Sequence, residues 1–269
     1  MDNDDHRWGS LAVDPDEKSL PGLKAEFLVA NAPRQGRVIE IGSGDGKMLR
    51  TLHLHAPGLE LHGSDIRTPA TPPDCYVFHP TTDGSVSASL DGTFDAVLIM
   101  DVLEHVPDPA ALLAGAARLL RPGGLLLAFV PVEGELVSAY TFFRAVLGKN
   151  VYVETKDHVQ AFKHTELEDL VRARFAIEEK RYVYHGVGQT MDAAFFAAHR
   201  LRSLQLFWRK DNAFYHGEKP SSQGPGTRAL NAALRVGNAM AWAESTVLSR
   251  VRAGSAGVLL RARREEGAA

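Results

Sequence analysis

From Val38 to Gly46 the chain reads Val-Ile-Glu-Ile-Gly-Ser-Gly-Asp-Gly, an apolar run that ends in alternating glycines. Glycine lets the backbone take positive φ and lets a ligand come close to the peptide groups, so such a turn can cradle a nucleotide-like molecule. Two phosphate cradles do not match. A P-loop needs Gly-x-x-x-x-Gly-Lys-Ser/Thr, and Met48 stands where the magnesium-binding hydroxyl belongs. A dinucleotide fingerprint needs Gly-x-Gly-x-x-Gly, and counted from Gly42 and Gly44 its third glycine falls on Lys47. What remains is glycine at 42, 44 and 46 behind Glu40. A tight strand–helix turn that holds no ligand is the bland reading of the same residues. Asp65 follows about 20 residues after the glycines, the separation at which an acid reaches ribose hydroxyls.

These residues need a scaffold, and the hydrophobic pattern supplies one. A helix is expected over about Leu20–Ala32, with Leu23, Phe27 and Ala30 on one face, ended by Pro33 and Gly36. Strand 1 is Arg37–Ile41, and the helix Lys47–His55 follows with Met48, Leu49 and Leu52 as its stripe. Strands are expected at Leu59–Ser64, Tyr76–His79, Phe94–Met100 and Leu125–Val130. A helix at Asp108–Leu120 carries Pro109 in its first turn, where a missing N–H costs nothing, and Arg121-Pro-Gly-Gly124 stops it. Continuous apolar strands that alternate with helices imply a parallel sheet covered on both faces. After Pro131 the pattern changes: helices at Glu135–Leu147, Thr165–Arg174 (capped by Thr165 and Glu168), Met191–Trp208 and Thr227–Val251, strands at Ile177–His185 and Ala256–Ala262, and a loop at Asp211–Gly226.

The order of motifs resembles class I S-adenosylmethionine (SAM)-dependent methyltransferases. Glu-x-Gly-x-Gly-x-Gly is similar to their first motif, followed by Asp65, by Thr82-Asp83-Gly84, by Leu90-Asp-Gly-Thr-Phe-Asp-Ala-Val97, by Asp101-Val-Leu-Glu-His-Val-Pro107 and by Leu120-Arg-Pro-Gly-Gly124. The resemblance covers about residues 20–131 and points to the group that modifies small molecules and lipids, including the ubiquinone-biosynthesis O-methyltransferases. It implies a doubly wound, mostly parallel, seven-stranded α/β sheet of the Rossmann-like kind with an inserted helical cover. Carried over by position, Glu40, Gly42, Gly44 and Gly46 would face the methionine part of SAM. Asp65 would take the ribose, Ile66 would pack on adenine, and Asp83 with Gly84 would take the adenine amino group. Met100 and Asp101 would lie beside the transferred methyl. His105 is the candidate general base. Asp101, Glu104 and His105 have the spacing of a divalent-metal set in the ubiquinone O-methyltransferases. Leu-Glu-His-Val is also widespread in this fold without metal, fixing the start of the next helix, and no metal is expected.

The expected reaction is methyl transfer from SAM to a small-molecule or lipid-linked acceptor, O-methylation first, with C- and N-methylation open. A SAM-binding fold without methyl transfer, such as a cyclase or regulator, is the alternative, because fold and cofactor do not fix chemistry. The expected organisation is a mobile acidic tail (1–18), a SAM-binding core (19–132), substrate-cover segments that include a late core strand (133–226), and a C-terminal helix with a final strand (227–269). His53, His55 and His62 are expected at the surface, while His158, His164, His185 and Tyr140 fall in the cover with no motif behind them. One cysteine, Cys75, excludes an internal disulfide and suits a reducing, cytoplasmic setting. The acidic start has no signal-peptide h-region, and no apolar run reaches the roughly 18 residues of a spanning helix. A net charge of −3 argues against nucleic acid as a partner. The stretch Arg200–Arg264 nevertheless holds twelve Lys or Arg against Asp211, Glu218 and Glu244. A solvated basic face is its default reading, and a weak peripheral contact with an anionic membrane or an acidic, lipid-linked acceptor is the other.

Overall fold

In a computed structural model, residues 11–69, 73–82, 85–136, 138, 141, 145, 158–191 and 225–265 are described. β1 (Gly36–Ile41), β2 (Leu59–Asp65), β3 (Val77–Pro80), β4 (Phe94–Met100) and β5 (Leu120–Pro131) pair in parallel. β6 (Phe175–Val183) and β7 (Gly257–Arg264) complete a seven-stranded sheet of order β3-β2-β1-β4-β5-β7-β6, in which β7 runs antiparallel to both its neighbours. This is the doubly wound α/β sheet that the alternating pattern implies.

Side-chain alternation splits the core in two. Ile39, Ile41, Val97, Ile99, Leu126, Ala128 and Val130 pack toward α3 (Pro109–Leu119) and α4 (His164–Arg172). Val38, Ala96, Leu98, Met100, Leu127 and Phe129 pack toward α1 (Leu20–Asn31) and α2 (Lys47–His55). Burial on both faces explains why these strands read as unbroken apolar runs. Asp108 caps α3, its Oδ1 accepting from the Ala111 N–H at 2.9 Å with Pro109 behind it. Gly46 opens α2 at φ 80°, a left-handed conformation glycine adopts without strain.

Several local expectations are corrected. The buried face of α1 is Gly22, Lys24, Ala25, Phe27, Leu28 and Asn31, while Ala30 is exposed. A lysine on the buried side is what the apolar pattern could not anticipate. β5 begins at Leu120, which pairs with Phe94 before a register shift loops out the following residues, so Arg121–Gly124 interrupt the strand rather than precede it. α4 starts one frame earlier than expected: the Lys163 N–H donates to Glu166 Oε2 at 3.0 Å, and Thr165 lies inside the helix. Glu168 instead accepts from Arg172 and Lys180, at 2.9 and 2.8 Å. His62 is buried, not at the surface, because β2 is covered on both faces. Its ring meets His79 at 2.9 Å and Glu60 at 2.8 Å, and burial lowers its pKa. Residues 186–191 are already helical, and α5 (Pro225–Val247) ends earlier than expected. In the expected acidic tail, Val13 is buried and its N–H donates to Thr51 Oγ1 of α2 at 2.8 Å. Most of the expected helix 135–147, nearly all of the helix 191–208, and the loop 211–226 apart from its last two residues lie outside the described residues. Among the described residues no helix is long and apolar enough to cross a membrane.

Candidate functional site

In an open α/β sheet, ligands bind beyond the carboxyl ends of the strands. β1, β2, β4 and β5 all end on that side, and each delivers polar residues there. β1 delivers Glu40 and the glycine loop. The Gly42 N–H donates to Ser64 O at 2.7 Å, and the Gly44 N–H to Asp65 Oδ2 at 2.8 Å, so the loop is tied to the end of β2. Gly42, Gly44 and Gly46 all have positive φ. They differ in surroundings. A Cβ on Gly42 would overlap Val102 and one on Gly46 would overlap Tyr76, whereas a Cβ on Gly44 would meet nothing within 4 Å. Gly42 and Gly46 therefore let the protein close on itself, and Gly44 opens onto free space.

Asp65 is partly exposed, and its other oxygen accepts from the Arg67 N–H at 2.8 Å. A carboxylate has about four lone-pair sites, so two backbone bonds leave it able to accept more. Ile66, next in the chain, is 63% exposed, an apolar side chain held open at the rim. Asp83 and Gly84 lie outside the described residues. Met100 is buried, and Asp101 follows at φ 55°, a strained value for a residue with a side chain.

Asp101 has a partner that pattern reading missed. Lys24 Nζ lies 2.5 Å from Asp101 Oδ2 and 3.7 Å from the centroid of the Phe129 ring. This ammonium comes from the buried face of α1, and only the tertiary fold explains it. Glu40 is also buried, and its Oε2 accepts no hydrogen bond. Burial, then the charges of Asp65 and Asp101, push its carboxyl well above the usual carboxylate range. Ser43 Oγ and Ser64 Oγ, at the same loop, are buried without partners too. Buried polar groups are normally satisfied, so this set fits a polar ligand. Asp65 and Asp101 favour positive charge on that ligand, and Lys24 favours an anionic group beside it. SAM carries a sulfonium, an ammonium, a carboxylate and ribose hydroxyls, and the residues present fit it.

Beyond β4, Leu103–His105 form a 3-10 turn. Glu104 is buried, neither of its oxygens accepts a hydrogen bond, and burial followed by the Asp101 charge holds its pKa well above the usual range. His105 Nε2 lies 3.8 Å from Glu104 Oε1. Asp101, the third residue of that spacing, is paired with Lys24, and its charge still reaches Glu104. Glu104, His105 and His158 bring ligand atoms within 4.8 Å of one another. His158 is in turn bonded to Glu133, Nδ1 to Oε2 at 2.9 Å, so proximity alone assigns no ion here. Of the other expected cover residues, His164 bonds Ser255 Oγ at 2.9 Å and His185 bonds Val251 O at 2.8 Å, both structural contacts. Tyr140 lies outside the described residues.

Comparison with known proteins agrees with this geometry. A family model described as a methyltransferase domain matches residues 17–174. The chain is 28% identical over 208 residues to a ubiquinone biosynthesis O-methyltransferase of Burkholderia lata, covering 68% of this chain and 84% of that protein. It is 31% identical over 179 residues to the protein of that name from Aromatoleum aromaticum, covering 60% and 74%. Among solved structures, phosphoethanolamine N-methyltransferase 2 of Haemonchus contortus in complex with SAM aligns with a TM-score of 0.52 at 16% identity, covering 91% of this chain and 53% of that one. The [4+2]-cyclase SpnF aligns at 0.53 and 18%, covering 91% and 80%.

Proposed function

Since the chain belongs to the class I SAM-dependent methyltransferases, we propose that it transfers the methyl group to a hydroxyl oxygen of a small-molecule or lipid-linked acceptor, in the cytoplasm. The observation that carries the reading is the cradle at the strand ends: the open Gly44 above buried, unsatisfied Glu40, with Asp65 and Asp101 around it. The hydroxyl preference draws on the O-methyltransferase relatives.

When bound, SAM supplies an activated methyl on a sulfonium. The protein's part is positioning and exclusion of water. Gly44 would let the backbone come close, Asp65 would accept from hydroxyls and Ile66 would offer an apolar face to a base; Asp83 and Gly84 are assigned to the base's amino group by resemblance of motif alone. Glu40 and Asp101 would face positive charge, Met100 would floor the methyl site, and Lys24 would face the carboxylate. His105 stands at the rim where the acceptor enters.

In this reading the SAM-binding core is 19–132, and 133–226 supplies substrate-cover segments together with the late core strand β6. The segment 158–164 fits a cover: the Gln160 N–H donates to Glu104 O at 3.0 Å, and the Gly134 N–H to Phe162 O at 2.8 Å. Part of the basic stretch is consumed internally, since Arg261 and Arg263 pair with Glu178 at 3.0 and 2.5 Å. Arg235 and Arg250 stay exposed, as do the apolar Val236, Met240 and Val247, and these are the described residues we assign to contact with an anionic lipid surface. The second reading, a SAM-binding cyclase, draws on the SpnF likeness in fold alone. Formation of S-adenosylhomocysteine with a hydroxyl acceptor tests the choice: turnover supports methyl transfer, and rearrangement of the acceptor without it overturns the proposal.

A further inference from the structure

We propose that His158, held by Glu133, is the general base that takes the acceptor's hydroxyl proton. The inference rests on the hydroxyl-transfer reading above.

Position comes first. Glu133 leaves the carboxyl end of β5 just past Val132, whose N–H donates to Ala256 O at 2.7 Å. His158 begins the described segment that crosses back over the β4 turn. Gln160 pins that segment, its backbone to Glu104 O and its side chain to Val106 O and Pro107 O, at 3.2 Å each. The His158 and His105 rings meet edge to face, with centroids 4.8 Å apart. His158 therefore lies over the ends of β4 and β5, on the side where Met100 and Asp101 end β4.

Orientation comes second. Glu133 is buried at 2% exposure, and its Oε2 lies 2.9 Å from His158 Nδ1. A carboxylate that accepts from Nδ1–H leaves the lone pair on Nε2 and stabilises the imidazolium that proton uptake creates. His105 Nε2 lies farther from its neighbouring acid, 3.8 Å from Glu104 Oε1, a carboxyl whose pKa burial raises. Among the described residues, the titratable groups facing His158 include Glu133, Glu104 and His105.

The step balances. As the acceptor oxygen bonds to the methyl carbon, its O–H proton passes to Nε2 of His158. The electron pair of the breaking carbon–sulfur bond stays on sulfur. The products are a methyl ether, a neutral thioether and an imidazolium facing the Glu133 carboxylate.

The test compares full-length wild type, His158→Gln and Glu133→Gln with SAM and two probes, catechol and 4-nitrocatechol. The nitro group makes the second largely ionised at mildly alkaline pH, so it needs no base. His158→Gln should lower kcat on catechol by about 10²–10⁴-fold, the usual worth of a general base. On 4-nitrocatechol the loss should stay below about tenfold on the same reasoning. Glu133→Gln, a positioning change, should show the same selectivity with a smaller loss. Nitrogen NMR of labelled histidine should find neutral His158 protonated on Nδ1 in wild type and redistributed in Glu133→Gln. Equal losses on both probes with SAM affinity intact would mean a structural role and overturn the inference, as would no loss on either. Wild type that binds SAM yet methylates neither probe would instead overturn the hydroxyl reading, and the base with it.

Discussion

Gly44→Ala separates cofactor fit from folding. Gly44 has φ 51°, and a Cβ there would meet nothing within 4 Å. The folded protein then bears only the left-handed cost of an L-residue, about 1–2 kcal/mol. For a domain of this size that lowers Tm by roughly 2–8 °C. The added methyl points into the space where the cradle would hold SAM, and it keeps the ligand off the backbone. SAM affinity should fall at least about tenfold, or about 1.4 kcal/mol. Gly42→Ala is the contrast. Its Cβ would overlap Val102, itself packed against the core. Overpacking adds about 1–3 kcal/mol to the left-handed cost. Bulkier residues at 42, valine included, confound stability with binding for the same reason. The assay is a thermal melt without ligand together with calorimetry against SAM and S-adenosylhomocysteine. Wild-type SAM affinity in folded Gly44→Ala would refute the cradle. A melting loss as large as that of Gly42→Ala would refute the claim that position 44 is open.

Asp65→Ala should weaken SAM by about 1.5–3 kcal/mol, the worth of a charged hydrogen bond, while the protein stays folded; unchanged affinity by calorimetry removes Asp65 from the site. Catechol methylation should survive chelation. If a chelator abolishes turnover and magnesium restores it, Glu104, His105 and His158 become a ligand set and His158 is no base. Glu40 and Glu104 hold their protons longer folded than unfolded, so the folded state binds more protons between the ordinary carboxylate range and the raised pKa, and stability falls as pH rises through that window. Glu40→Gln should flatten this fall in denaturant midpoints measured against pH, and an unchanged slope would contradict the burial argument. Vesicles with anionic lipid should sediment the protein at low salt and neutral vesicles should not; absence of binding to both removes the membrane contact.

The parts of the molecule that were legible in sequence are those set by local rules. Val38–Gly46 announces strand, turn and helix because apolar run, glycines and helical stripe are contiguous. Asp108 and Pro109 mark a helix start by their own chemistry. What escaped was set by long-range contact. Lys24 reads as a solvent residue, and only Asp101, 77 positions away, explains its burial. Glu133 and His158 are 25 apart with no motif, joined only because β5 and the returning chain end at one place. The Lys24 partner of Asp101 was likewise invisible in the Asp101, Glu104 and His105 spacing. His62 looked exposed because a lone histidine on a strand carries no sign of which layer covers it.

The strand order has a consequence for synthesis. β6 finds its only described strand neighbour in β7, which also closes the outer edge of β5. A nascent chain can therefore assemble β1 to β5 and the glycine cradle while β6 still waits. Val132, next to Glu133, gains its hydrogen bond to Ala256 O only when that residue arrives. Because chains fold as they emerge, at about 5–20 residues per second, β1 to β5 are available to pair before β7 closes their outer edge.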